Sequence, residues 1–128
     1  MNIHLSKATE IHLAHLGEET LTITKKNDAL TYSAIAMWIT ALGKCTYAVL
    51  DHYALRLDLN PDAIKEVLTW EFSHEPTTIK RINLTITWPD LPENRRKAVE
   101  RAAHKCTIHN TIKTCVAITV QVVTTQPT

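Results

Sequence analysis

The first 28 residues of the chain alternate between hydrophobic and polar side chains. Ile11 and Leu13 lie on one face of an extended segment, and Leu21 and Ile23 alternate with threonines. A period of two residues is typical of strands that cover a core with one face. The stretch LGEE between the two runs indicates a turn, and KKND ends the second run. We therefore predict N-terminal strands within residues 1–28, arranged as a hairpin.

From about residue 30 the hydrophobic period lengthens to three and four residues, which an α-helix brings onto one face. The residues of this stripe are Ala34, Met37, Trp38, Ala41, Leu42, Cys45, Ala48, Val49 and His52. Pro61 marks the end of the pattern, because proline disfavours a helical conformation in the residue before it. The sequence predicts a long, largely buried helix over residues 29–58, with Cys45 in its apolar stripe.

Alternation returns in the second half of the chain, around Leu68 and again around Leu84, and a charged helical segment with inward-facing Val99 follows. The predicted elements are paired strands within residues 64–88, a second helix over residues 92–110 and a final strand at residues 116–124. Strands and helices are partly segregated, so we predict one α+β domain over residues 1–128. Its antiparallel sheets would pack on the long central helix and the second helix.

Composition limits the classes of partner. With 128 residues, 45% hydrophobic and 21% charged, the chain is typical of one globular domain. A net charge of +1 gives no electrostatic basis for binding nucleic acid or an anionic membrane. The longest apolar window, residues 34–42, is too short to cross a bilayer, and no signal peptide is visible. We therefore expect a cytoplasmic protein, and the apolar long helix indicates a homodimer.

Two of the three cysteines are candidates for redox chemistry. Cys45 lies on the long helix and Cys106 lies 61 positions later, at the end of the second helix, so the fold can bring them together. A thiolate can attack a peroxide and become a sulfenic acid, which a second thiol converts to a disulfide. Buried cysteine also occurs as an inert small hydrophobic residue. We expect that inert role for Cys115, at the start of the last strand.

A metal site is the alternative for the segment HKCTIH. His104, Cys106 and His109 are all capable ligands. Zinc sites in proteins favour Cys-x2-Cys or His-x3-His spacings and four ligands, and no partner pair occurs elsewhere in the sequence. We therefore expect no metal at this segment.

Two segments carry a resemblance to a known family. WITALGKCTYAVLDHYA resembles a helix of the OsmC/Ohr family, the osmotically induced and organic hydroperoxide resistance proteins, in which small residues precede the first of two cysteines. LPENRRKAVERAAHKCTIHNTI resembles the family's second helix, which ends in the other cysteine and a short turn. The two segments occur in the family's order, and the similarity extends over about residues 30–123.

The resemblance implies an intertwined homodimer with active sites at the subunit interface. It also implies reduction of organic hydroperoxides by a two-cysteine cycle that an external dithiol completes. Carried over by position, Cys45 is the attacking thiol, Cys106 is the resolving thiol, and His109 supports the turn. No metal or other cofactor is implied.

Two activating residues of the family's peroxidases are missing. The family has a glutamate upstream of its first cysteine, where this chain has Ala34 and Ile35, and an arginine in its N-terminal strands, whereas the first arginine here is Arg56. A thiol in apolar surroundings needs a nearby cation to become a thiolate. Lys44 is one candidate for that supporting role. The alternative function is a non-enzymatic or differently specialised OsmC-like binding protein.

Overall fold

A computed structural model describes residues 1–124 and confirms the α+β fold. The strands are β1 (Asn2–Lys7), β2 (Glu10–Ala14), β3 (Thr22–Lys25), β4 (Lys65–Ser73), β5 (Thr78–Thr87) and β6 (Ala117–Val123). The helices are α1 (Ala34–Leu57), α2 (Arg96–Ala103) and α3 (Thr107–Ile112), with a 3₁₀ turn at Glu93–Arg95. Residues 125–128 of the predicted domain lie outside the described residues, and its extent over 1–128 stays a prediction.

All six strands form one mixed sheet in the order β3-β1-β2-β4-β5-β6. The three central pairings, β1–β2, β2–β4 and β4–β5, are antiparallel, as we predicted for the sheet. Both outer strands pair in parallel, β3 with β1 and β6 with β5. The inward-facing side chains of the sheet form the core with the buried side of α1.

The N-terminal strands differ from the predicted hairpin. The chain first forms β1, whose Ile3 and Leu5 are buried, and β2 folds back on it. β3 then pairs with β1 and not with β2. Ile23 of β3 is 47% exposed, because β3 is the outermost strand of the sheet. A period of two residues identifies a strand but does not select its partner.

The long helix has well-defined ends. Ser33 is its N-cap residue and accepts a hydrogen bond from the backbone N–H of Ala36, which satisfies one of the free donors of the first turn. Asp58 ends the helix with a left-handed backbone (φ 56°), and its N–H donates to carbonyl groups of the last turn. The buried residues of the helix include Ile39, Leu42 and Leu50, each at most 1% exposed.

The segment predicted as a second helix over residues 92–110 is interrupted. α2 ends at Ala103, and Cys106 has an extended backbone (φ −61°, ψ 135°) before α3 begins at Thr107. The Sγ atom of Cys106 accepts a hydrogen bond from the backbone N–H of His109, so Cys106 is the N-cap residue of α3. Cys106 therefore lies at a break between two helices rather than on a continuous one.

Candidate functional site

The fold brings Cys45 and Cys106 together. Gly43 faces the sheet, where it packs against Glu66, and Cys45 lies two residues, or about 200°, further around α1. Cys45 therefore lies on the side of α1 that faces away from the sheet, where α2 and α3 pack on the helix. There the two thiols are close enough for Cys45 to raise the pKa of Cys106, and neither is part of a disulfide.

Cys106 is the more enclosed of the two thiols. Its side chain is fully buried, whereas Cys45 is partly exposed. Burial raises the pKa of Cys106, and the hydrogen bond with Cys45 raises it further. The N–H of His109, 3.4 Å from Sγ, and the hydroxyl of Thr46 act in the opposite direction, because they stabilise the thiolate. Cys106 is thus mainly a neutral thiol in the reduced protein.

Two histidines lie beside Cys106. Nδ1 of His104 and Nε2 of His109 are 3.2 Å apart, and the ring centroids are 4.6 Å apart. His104 is exposed, whereas His109 is 3% exposed and its Nδ1 has no hydrogen-bond partner. Burial lowers the pKa of His109, and the nearby charges of His104 and Lys113 lower it further. His109 therefore stays neutral at physiological pH.

These side chains do not form the metal site that we considered as an alternative. Within residues 1–124, no three His, Cys, Asp or Glu side chains are grouped so that they could hold a metal ion. The imidazoles of His104 and His109 hydrogen-bond to each other, and Cys106 caps α3.

Lys44 lies away from the cysteine pair. Its ammonium group donates to the carbonyl oxygen of Leu16 and lies 5.7 Å from the centre of the Tyr47 ring. Both partners belong to the opposite side of α1 from Cys106. The adjacent position in the sequence therefore does not place the charge of Lys44 at Cys45, since successive helix residues point about 100° apart.

Cys115 is exposed, so our expectation that it packs in the core was wrong. It contributes to a cavity of about 700 Å³. The lining is mostly apolar and comes from α1, the β4–β5 hairpin and the segment before β6, and it includes Ile35, Trp38, Phe72 and Ile79. Trp38 lies seven residues before Cys45, which is about 10 Å along α1.

Glu66 is a buried acid that our sequence analysis missed. It is 1% exposed, neither carboxyl oxygen has a hydrogen-bond partner, and burial raises its pKa well above the usual range, with only partial compensation from Lys44. The signal was present in the alternation of β4, because residues 66, 68, 70 and 72 share a face and Leu68 and Trp70 are buried. Glu66 contacts Gly43 and therefore does not reach the cysteine pair.

In the described part of the chain, no helix combines the length and the hydrophobicity that crossing a bilayer requires.

Sequence comparison identifies the family of this chain. The profile of a family described as OsmC-like protein matches residues 26–121, which is most of the chain. No curated protein matches the sequence significantly.

Solved structures with the same fold agree with this match. A protein of Psychrobacter arcticus 273-4, described as an osmotic stress induced and detoxification response protein, has a TM-score of 0.67 at 16% identity, over 76% of this chain and 70% of the other. An organic hydroperoxide resistance protein OsmC of Legionella pneumophila has a TM-score of 0.62 at 17% identity, over 77% of this chain and 72% of the other. A proposed redox protein of Lactobacillus casei ATCC 334 has a TM-score of 0.64 at 15% identity, over 80% of this chain and 74% of the other.

Proposed function

Because this chain belongs to the OsmC-like protein family, we propose that it is a thiol-dependent peroxidase that reduces organic hydroperoxides with Cys45 and Cys106. The observation that carries the proposal is the proximity of these two thiols, which interact although they are 61 positions apart in sequence, and both of which are free. The Legionella pneumophila protein with the same fold is described as an organic hydroperoxide resistance protein. That description supports the choice of substrate class.

The proposed cycle assigns a different role to each thiol. The thiolate of Cys45 attacks the outer oxygen of a hydroperoxide and the O–O bond breaks. A sulfenic acid remains on Cys45, and the alkoxide that leaves takes up a proton from water to become the alcohol. Cys106 then attacks that sulfur, the S–O bond breaks, and water and a disulfide form. An external dithiol reduces the disulfide. Partial exposure of Cys45 suits a group that meets substrate, and full burial of Cys106 suits a group that meets only Cys45.

We further propose a homodimer in which the partner covers the exposed side of α1. Met37 is 54% exposed and Leu55 is 79% exposed, and these two residues lie five turns apart on the same face of the helix. The exposed Ala41 and Ala48 lie between them. Small residues flanked by large apolar ones suit close packing of two helices. This face borders Cys45, so the partner would complete the surroundings of the attacking thiol.

The alternative, a binding protein without peroxidase activity, has support of its own. The family's activating glutamate and arginine are missing, and Lys44 is engaged by Leu16. The cavity at Trp38 and Cys115 is large and apolar enough for a small hydrophobic ligand. A change in tryptophan fluorescence when an apolar alcohol is added, absent in Trp38→Phe and not accompanied by hydroperoxide consumption, would favour this function.

The test of the peroxidase proposal is consumption of cumene hydroperoxide in the presence of dithiothreitol. We expect turnover by the wild type and by Cys115→Ser, and none by Cys45→Ser. In Cys106→Ser we expect a sulfenic acid on Cys45 that dimedone traps, detected by mass spectrometry. Equal, slow consumption by wild type and Cys45→Ser would contradict the proposal.

A further inference from the structure

A polar cavity of about 580 Å³ is formed by the turn after β2, by α1 and by the turn before β4. Its lining includes Leu16, Glu18, Tyr47, Asp51 and Asp62. Tyr47 follows Gly43 by about one helical turn, so the cavity lies on the opposite side of α1 from Cys106. Its volume is in the range of pockets that bind small molecules. Three carboxylates at one cavity indicate that charge would select the ligand.

The hydroxyl group of Tyr47 is unpaired at the floor of this cavity. Tyr47 is only 6% exposed, and its hydroxyl has no hydrogen-bond partner within residues 1–124. The hydroxyl oxygen lies 3.0 Å from the position that a Cβ atom on Gly17 would occupy, and Gly17 also lines the cavity. Buried polar side chains in proteins usually have a partner. The hydroxyl is therefore available to a group that binds in the cavity.

Two of the carboxylates are also unpaired. In the described part of the chain, Asp51 and Asp62 form no ion pair, and Glu18 has only the exposed His15 at 3.8 Å. Asp51 and Asp62 are close enough to Tyr47 to raise the pKa of its hydroxyl, in addition to the larger effect of burial. An unpaired hydroxyl and two unpaired carboxylates thus lie close together.

The ammonium groups near this cavity are engaged elsewhere. That of Lys44 donates to the backbone carbonyl of Leu16. The N-terminal ammonium of Met1 donates to the backbone carbonyls of Glu18 and Thr20. Because both charges are held by carbonyl oxygens of the turn after β2, the carboxylates remain free to pair with a bound cation.

We propose that this cavity binds a short aliphatic diamine. Its ammonium groups pair with Asp51 and Asp62, and one of them donates a hydrogen bond to the hydroxyl of Tyr47. The site lies on the other side of α1 from the cysteine pair, so it is independent of the proposed peroxidase activity.

The placement of the acids favours a diamine over a metal ion. Among residues 1–124, no three His, Cys, Asp or Glu side chains converge closely enough to hold a metal ion. Acids that share a cavity without converging on one point suit a ligand whose two charges are separated by a chain. The methylene groups of that chain would cover apolar parts of the lining, such as Leu16.

Titration with 1,4-diaminobutane at low ionic strength, followed by ¹H–¹⁵N correlation spectra, tests the site. Low salt is chosen because exposed charges are screened at higher concentrations. We expect saturable shifts of the amide signals of residues 15–18 and 47–51. 1-Aminobutane should bind about tenfold more weakly, because it lacks the second ammonium group. The neutral 1,4-butanediol should not shift these signals.

Matched variants identify the groups that bind the diamine. Tyr47→Phe keeps the ring and should weaken binding about tenfold, because a hydrogen bond to a charged group is lost. Its unfolding temperature should stay that of wild type, because the hydroxyl has no partner in the free protein. Asp51→Asn combined with Asp62→Asn should abolish binding. Asp28→Asn, an exposed acid beyond the other end of β3, should bind the diamine as wild type does.

Three results would overturn the diamine site. The first is equal affinity for 1-aminobutane and 1,4-diaminobutane. The second is an unchanged diamine affinity in Tyr47→Phe or in the double aspartate variant. The third is tighter binding of Ca²⁺ than of the diamine at the same residues, which would identify a metal site instead.

Discussion

Oε1 of Glu66 on β4 lies 2.8 Å from the position that a Cβ atom on Gly43 would occupy. The same Cβ would lie 2.6 Å from Cδ1 of Leu13 and 3.2 Å from Cδ1 of Leu68. All three neighbours are at most 1% exposed, so none can move into solvent. Gly43 is therefore a point of close approach between α1 and the sheet, and glycine is required there for its lack of a side chain.

We predict that Gly43→Ala destabilises the protein. Overpacking a core costs about 1–3 kcal/mol, whereas the gain in helix propensity from glycine to alanine is at most about 1 kcal/mol. Urea unfolding should show a net loss of about 1–2 kcal/mol in the free energy of unfolding. Ala48→Gly, at an exposed position of α1, measures the propensity term alone. A Gly43→Ala protein more stable than wild type would contradict the prediction and show that the sheet side chains shift to accommodate the added methyl group.

Glu66 should make stability depend on pH. Its pKa is raised well above the usual 4.5 by burial, so between pH 4.5 and that higher pKa the folded state holds a proton that the unfolded state has released. Stability therefore falls as pH rises through this window, by up to about 1.4 kcal/mol per pH unit. Glu66→Gln removes the titration, and its free energy of unfolding should decline less than that of wild type.

The comparison needs a control for the other titrating groups. Glu71→Gln changes an exposed acid on the same strand and should leave the pH profile of wild type unchanged. If Glu66→Gln and wild type lose stability in parallel from pH 5 to pH 8, the carboxyl of Glu66 is not protonated in the folded state.

Leu55→Glu should weaken the proposed homodimer. Burying a leucine side chain at an interface contributes about 1.5–3 kcal/mol, and each 1.4 kcal/mol changes the dissociation constant about tenfold. Sedimentation velocity should show a dimer for wild type at micromolar concentration and a shift toward monomer for the variant. Gln121→Glu, on an exposed position of β6, should not change the sedimentation coefficient. A monomeric wild type would contradict the dimer and the shared site.

The three thiols should react with iodoacetamide in the order Cys115, Cys45, Cys106. Cys115 is exposed, Cys45 is partly exposed, and Cys106 is buried with a raised pKa. Because the thiolate is the reactive form, we expect Cys106 to be labelled about tenfold or more slowly than Cys115. Peptide mapping by mass spectrometry measures the three rates in one sample. Fast labelling of Cys106 in the folded protein would contradict its placement in the core.

Much of the fold could be predicted from local periodicity. The period of apolar residues predicted the helix α1, and the alternation around Leu68 and Leu84 predicted strands that the structure contains. The predicted buried face of α1 was wrong, because Leu42 is the only residue of the predicted stripe that is buried, whereas Met37, Ala41, Ala48 and His52 are exposed. The polar outer face of the sheet follows from the same rule, because successive side chains of a strand point to opposite faces. The order of the strands did not follow, since the parallel pairing of β3 with β1 depends on contacts between distant segments.

The candidate site was predictable only in its two cysteines. Their positions and the family resemblance are properties of the sequence. The break between α2 and α3, which makes Cys106 an N-cap residue, was not predicted, and neither was the pairing of His104 with His109. Glu66 was overlooked because a single acid in an alternating pattern does not reveal that its whole side chain is buried.

The sequence by itself determined the elements, the family and the identity of the two thiols, because side-chain periodicity and residue type are local properties. Only the tertiary structure decided which groups surround those thiols. Lys44 is adjacent to Cys45 in sequence, yet the turn of α1 directs its charge to Leu16, whereas Cys106 is 61 positions away and close enough to interact with Cys45. The physical reason is that the helix turns by about 100° per residue, so adjacent side chains point in different directions. The elements that pack on each side of the helix then determine which residues surround each side chain.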